Sequence, residues 1–504
     1  MNALRWLAKV STYLGVFGIL LLAVNARHGT ATELISNVSF VSLALGAVTL
    51  LVIQHKNPLA QDNGLMCSNK GRSDRRYRSA TLFAIAIIVG LLVQTRFQVG
   101  TVVAWGDFQP PEGTAWIRHI FSGWAWTGNN LGTLSNSVTV LPWAILVEIV
   151  HLLGGTAGLA QRIWFTALLV SVGLVASGLL LTLEFSAVSS VIGGLVYVFN
   201  PFMMTASKVL SPGAISGMIL PPFFLWWVVM ASREKKISFG LWVTLALSAT
   251  LLGYSYQTPP LAGAAIGFFL SAPLLVEMLY RNRKRTLFAI RATVKGLAVL
   301  VTLSAYWIIP AVVQLWYGVI AVGRLNTLSW VSAEGRATIA NGFWLNSVPL
   351  WHLHIYYSFS RNYSSFPLSL LKWILPIAAF SSLALVAHRG EVLWKQRLIA
   401  PLVSLSALLV LLVVLLSTGT RFPGILLFGP LYRLPFGWLL QLPIRFLYLA
   451  ALGYSILIAV LAEAFGPVAE RFLSRKLHPI DKATPAVFRY AANILANMQV
   501  APTI

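Results

Sequence analysis

Only 10% of the 504 residues are charged, one residue is cysteine, and acidic residues number 14 against 37 Lys and Arg. A soluble globular domain carries about a quarter charged residues, so this composition excludes one. The lone Cys67 excludes an internal disulfide and any cluster of thiolate metal ligands. What fills the chain is apolar: 57% of it is hydrophobic, with mean hydropathy +0.77. The apolar runs recur at about 20 residues, long enough to cross a ~30 Å hydrocarbon layer. The chain reads as all-α, a polytopic transmembrane helical bundle. Its first run follows a short basic start and shows no small-residue cleavage site, so it reads as a retained helix.

The net charge of +23 raises nucleic acid as a partner, but the cations sit in short blocks between apolar runs. These are "KGRSDRRYR" (Lys70 to Arg78), "REKK" (Arg233 to Lys236), "RNRKR" (Arg281 to Arg285), "HRGEVLWKQR" (His388 to Arg397) and "RFLSRK" (Arg471 to Lys476). No basic groove interleaved with aromatics accompanies them. Lys and Arg accumulate in cytoplasmic loops, so topology accounts for the charge and no nucleic-acid partner is expected. With those blocks inside, twelve spans are predicted: 8–24, 35–54, 80–102, 163–183, 185–200, 216–232, 238–254, 260–280, 294–313, 368–387, 398–417 and 445–464. Both termini are then cytoplasmic. The run "VTVLPWAILVEIVHLLGG" (Val138 to Gly155) holds Glu148 and His151. Counting it as a span would break the parity that "REKK" demands. It is predicted as an external helix along the interface, with an apolar and a polar face. The expected parts are 1–78, a transmembrane hairpin with a basic cytoplasmic loop; 79–465, the main bundle; and 466–504, a cytoplasmic tail. Outer segments 103–162, 201–215, 314–367 and the Gly- and Pro-rich 418–444 exceed mere connectors, and function is expected on that face.

The first of these segments opens "WGDFQPPEGTAWIRHIFSGWAWTGNNLG" (Trp105 to Gly132). Asp107 follows a long apolar run, which delivers its carboxylate to the outer surface. An Asp after Gly also serves ordinary turns. The prolines that follow force an extended exit. Trp116, Trp124 and Trp126 then supply flat apolar faces beside Arg118, His119, Asn129 and Asn130. A carboxylate, indoles and amides suit a polar ring such as a sugar; the aromatic belt of a membrane interface is the other account of the tryptophans.

The order of these features resembles the GT-C glycosyltransferases, polytopic enzymes that take sugars from polyprenyl-phosphate donors. It is most similar to the membrane domain of the actinobacterial α-(1→3)-arabinofuranosyltransferases. The resemblance rests on "GDFQP" after a span, "LPWAILVEIVHLLGG", "AQRIWF" (Ala160 to Phe165), "VYVFNPFMM" (Val196 to Met204), "SPGAISGMILPPFFL" (Ser211 to Leu225) and "LPIRFLYLAALGYSILIAVLAE" (Leu442 to Glu463). It covers roughly 79–465, which it implies is a catalytic domain. It further implies inverting transfer from a polyprenyl-phosphate-linked sugar to a glycan or glycolipid acceptor, on the outer face of the plasma membrane. Asp107 matches the family's catalytic base. Two predicted spans precede the family's usual first helix, and the large carbohydrate-binding modules of its biggest members are not seen here. Branching specificity is therefore not carried over.

Transfer needs a base for the acceptor hydroxyl and cations for the departing phosphate. Glu334, in "SAEGRATIANG", is the second candidate base. Arg445, at the mouth of the last span, leads the phosphate candidates, followed by Arg433, Arg421, Lys208 and Arg162; snorkelling is the other account of such interfacial arginines. Arg96, inside an apolar run, is a functional hypothesis by position. His352 and His354 form an H-x-H pair without a carboxylate to complete a metal set. The stretch reads as an aromatic-rich helix of the outer loop or a wall of the acceptor site, and no metal ligands are assigned. A divalent cation at the phosphate stays open, and no other cofactor is expected. A transporter or flippase is the competing class, and an inactive envelope-assembly scaffold is a third.

Overall fold

The computed structural model describes residues 2–24, 30–56, 71–95, 97, 102, 124–125, 133–134, 137–208, 212–234, 237–255, 259–316, 348–350, 368–393, 399–419, 424–434 and 443–477. Almost all of these are helical. The first hairpin is α1 (Asn2–Val24) and α2 (Thr30–Lys56), followed by α3 (Gly71–Gln94). Then come α4 (Leu141–Leu152), α5 (Ala157–Thr182), α6 (Ala187–Phe199), α7 (Pro201–Lys208) and α8 (Pro212–Glu234). The second half runs α9 (Phe239–Ser255), α10 (Pro259–Tyr280), α11 (Arg283–Leu303), α12 (Ala305–Trp316), α13 (Leu368–Leu393), α14 (Ile399–Leu416), α15 (Ile425–Arg433) and α16 (Leu447–Leu477). The exception to the helices is an antiparallel pair, β1 (Trp124–Ala125) with β2 (Thr133–Leu134), inside the predicted first outer segment.

A helix coincides with each of the twelve predicted intervals. Among the described residues seven helices are long and apolar enough to cross a membrane, or eight if the α6–α7 pair, bent by 52°, is one span. The other intervals hold shorter apolar helices or, for 294–313, parts of two. There the chain breaks at Ser304, and the span-like helix is the earlier α11, which starts inside the basic block. Other boundaries differ too. α3 stops at Gln94 where the apolar run continues to 102, and α16 runs past the predicted boundary at 465 to Leu477. The outer segment 201–215 is largely α7 and the start of α8, and 418–444 contains α15 despite its glycines and prolines.

α8 is the hub: 89% of its apolar window is buried, against 28% for α11. It carries Pro221 and Pro222, so Met218 loses the N–H that a residue four positions on would donate. An unmet carbonyl is costly away from water. The Tyr197 hydroxyl on α6 donates to Met218 O at 2.6 Å and fills the gap. Tyr448 and Tyr454 on α16 also donate to backbone carbonyls, Leu261 O of α10 at 3.0 Å and Val348 O of the turn 348–350 at 2.6 Å. The α1–α2 hairpin closes on small residues. A Cβ at Gly18 would collide with Ser39, and one at Gly46 with Thr12, the close backbone approach that packs helices in lipid. The hairpin is not a separate body: it lies on α13 and α14, where Tyr13 Oη meets His388 Nδ1 at 2.9 Å.

The alternation of the helices gives the bundle two distinct ends. One carries most of the predicted cytoplasmic blocks and is here the basic end. Arg233 donates from Nε and Nη2 to the Tyr280 hydroxyl (3.1 and 2.8 Å) and from Nη2 to Glu184 (3.2 Å). The Arg285 guanidinium lies 4.8 Å from the Tyr280 ring centroid. Asn282 caps α11 through Lys284 N and Arg285 N, and Glu463 accepts from Ser186 N at the start of α6. α5 ends here with Glu184 in the left-handed region, Phe185 N returning to Leu180 O.

A candidate ligand site at the aromatic end

The opposite end begins where α3 stops. The Thr95 hydroxyl donates to Leu92 O, Phe97 N donates to Gln94 O at 3.2 Å, and the Phe97 ring sits 6.3 Å from Phe165. Gln94 then latches α3 to α5. Its Nε2 donates to Thr166 Oγ1 at 2.7 Å, while its Oε1 accepts from Arg162 Nε (3.2 Å) and Nη2 (2.9 Å). A guanidinium can only donate, so the amide oxygen must face it. Arg162 is half-buried, and no carboxylate among the described residues pairs with it. The Nη1 hydrogens have no partner among the described residues either.

On the other flank of α5 lies an aromatic nest. Trp143 of α4 is 5.6 Å from Trp164, which is 5.8 Å from Tyr254 at the end of α9. Gly253 makes room for the neighbours of Tyr254: a Cβ there would stand 2.6 Å from Tyr306 Oη and 2.8 Å from Trp307 Cδ1. Three buried polar atoms here, Trp164 Nε1, Ser304 Oγ and Tyr306 Oη, lack a hydrogen-bond partner. Natural interiors leave few such groups, and each calls for an occupant or a reason. Arg162 and Trp164 are two residues apart on a helix, so their side chains leave α5 roughly 200° apart. Cation and nest flank the first turns of α5 without sharing one pocket.

α4 packs on the start of α5 at this end, without the polar outer face expected of it. Trp143, Ala144, Val147 and Val150 are buried, while Ile145, Ile149 and Leu152 are exposed. Glu148 is half-buried and His151 exposed. Both broad faces are therefore apolar, which suits a helix set into lipid more than one floating on it. The helix ends on Gly154 at φ 79°, with Gly155 N returning to Val150 O.

Of the predicted site residues, Asp107, Glu334, Arg421, Trp116, Trp126, His119, Asn129 and Asn130 lie outside the described residues, as do Arg96, His352 and His354. Trp124 is described only as backbone in β1, and Lys208 only as the last residue of α7. Arg162 sits in the latch. Arg433 is exposed at the end of α15, and Arg445 is half-buried in the 3-10 turn Pro443–Phe446 that leads into α16. Among the described residues no three of His, Cys, Asp or Glu come together to hold a metal ion. Sequence reasoning missed Gln94, Thr166, Trp143, Trp164, Tyr306 and Trp307. The available signal was a glutamine closing an apolar run and tryptophans opening others.

The fold defines a multi-pass helical membrane protein. No protein family, curated protein or solved structure matches the chain.

Proposed function

We propose that the chain is a GT-C-type glycosyltransferase of the plasma membrane. It moves a sugar, arabinofuranose by the resemblance, from a polyprenyl-phosphate donor to a cell-envelope glycan or glycolipid at the outer face. The observation that carries the reading is the latch. It sets a cation without a carboxylate at the end of α3, the helix from which the chain leads on to Asp107. A departing lipid phosphate needs such a cation. The nest on the other flank of α5 offers ring faces and unpartnered polar atoms of the kind a sugar engages. In this reading the twelve helical intervals all cross, and both termini are cytoplasmic. The Asp107 carboxylate, or failing it Glu334, takes the proton of the acceptor hydroxyl. The freed oxygen attacks the anomeric carbon while its bond to the phosphate oxygen breaks. The phosphate leaves with the electron pair, opposite Arg162 and the cations Arg445, Arg433, Arg421 and Lys208. A divalent cation there is an open addition.

One feature favours a transporter instead: the bend at Asn200, since broken helices build ion sites in carriers. Here the break is already satisfied. Asn200 Nδ2 donates to Tyr197 O at 2.6 Å, and its Oδ1 caps Met203 N at 3.0 Å. The test uses the purified full chain in lipid nanodiscs with a polyprenyl-phosphate pentose and a glycan acceptor. Wild-type protein transfers the sugar, and Asp107→Asn lowers turnover by about 10²–10⁴ with normal folded yield. Full activity in Asp107→Asn with none in Glu334→Gln moves the base to Glu334. No transfer from any such donor, with substrate movement in proteoliposomes, overturns the enzyme in favour of the carrier.

A further inference from the structure

We infer that Gln94 is a positioning residue whose neutral amide holds Arg162 as an uncancelled positive charge for a phosphate group. Arg162 is half-buried among apolar helices, where an ionised group is expensive and ordinarily finds a carboxylate. Gln94 occupies the place a carboxylate would take: its Oε1 meets both Nε and Nη2, the edge that Glu or Asp usually engages in a fork. A glutamate at 94 could make the same two contacts and cancel the charge. The amide orients the guanidinium without neutralising it, and Thr166 fixes the amide in turn. The Nη1 edge faces no described partner and retains the planar donor geometry that suits phosphate oxygens. The phosphate could be carried by a lipid or be free in solution. The inference deepens the donor reading and rests on it only for what carries the phosphate.

The experiment compares wild-type protein with Gln94→Glu and Gln94→Met, full length in nanodiscs, against polyprenyl phosphate, polyprenol and inorganic phosphate. Wild type binds polyprenyl phosphate more tightly than polyprenol, and added salt weakens it. Gln94→Glu lowers that affinity about tenfold or more, flattens the salt dependence and leaves the melting midpoint unchanged or raised. A purely structural latch predicts the opposite, because glutamate preserves both contacts to Arg162. Gln94→Met, which unlatches Arg162 without adding charge, weakens binding severalfold and serves if Gln94→Glu fails to fold. Competition by inorganic phosphate at comparable concentration assigns the site to a free anion; its absence assigns it to the lipid. Equal binding of polyprenol and polyprenyl phosphate overturns the inference, as does wild-type affinity in either variant. Should wild-type protein bind the phosphate but transfer no sugar, the function falls and the positioning role stands. Unaltered binding in both variants alongside normal transfer does the reverse.

Discussion

At the basic end Arg233 meets Glu184 and the Tyr280 hydroxyl, and Arg285 lies against the same ring. At the aromatic end Arg162 has an amide, and on the other flank of α5 three buried polar atoms have no partner. Both ends use arginine, tyrosine and helix termini, and both hold buried hydroxyls without a partner, Ser190 among them at the basic end. What separates them is that, among the described residues, Arg233 meets a carboxylate and Arg162 does not. Paired charges and filled caps are what a bundle needs to stay folded against water. Unpaired charge and orphan donors cost stability, so they persist where another molecule completes them.

The sharpest way to break this comparison is to ask whether the ends face different compartments. In a Cys67→Ser background, single cysteines at Ser73 and Ser122 should label on opposite sides with an impermeant maleimide in intact cells. Ser122 labels and Ser73 does not; equal or reversed labelling removes the topology beneath the whole reading. Next in size, Arg162→Ala should lower sugar transfer about 10²-fold, the typical loss of one charge-stabilising donor, while folded yield holds. A fall in yield that matches the fall in activity would make Arg162 a structural residue like Arg233. Conversely, Arg233→Met should cost about 1–2 kcal/mol of stability through its lost hydrogen bonds and leave turnover of the folded fraction within about twofold. Denaturant titration and single-turnover assays on the same preparation separate the two. The smallest effect belongs to Glu184→Gln. Its side chain is 62% exposed, so the ion pair with Arg233 contributes only about 0.2–0.5 kcal/mol and less in added salt.

The bundle was legible because lipid leaves few options: a run of apolar residues that long must be helical to satisfy its own backbone. Cation blocks then gave the alternation. What escaped was set by contacts between distant residues. The apolar run continues past the end of α3, and Gln94 within it is a weak local mark; its partners Arg162 and Thr166 lie on another helix. No helix was expected in the Gly- and Pro-rich segment 418–444, yet α15 forms there through Gly429 and Pro430, with Phe428 buried and stacked on Tyr432. The polar face expected for α4 is absent because Ile145, Ile149 and Leu152 share the outward side with His151, while Glu148 is half-buried. For the site, composition pointed to carboxylate, indole and cation at one end. It could not show which tryptophans form the nest, since pairs such as Trp164 and Tyr254 come from helices far apart in sequence.

The docking of the first hairpin on α13 and α14 sets an order for biosynthesis. α1 and α2 leave the ribosome well before their partners, which begin at Leu368 and Ile399. At about 5–20 residues per second, the hairpin waits roughly 20–70 s in the bilayer for the surface it will cover. During that wait its two helices are held by their own seam, where Gly15 meets Leu43, Gly18 meets Ser39 and Gly46 meets Thr12. A bulky residue at Gly18 or Gly46 would therefore act while the chain is still being made. The nascent hairpin would come apart and be open to quality-control proteases before the rest of the bundle exists to rescue it.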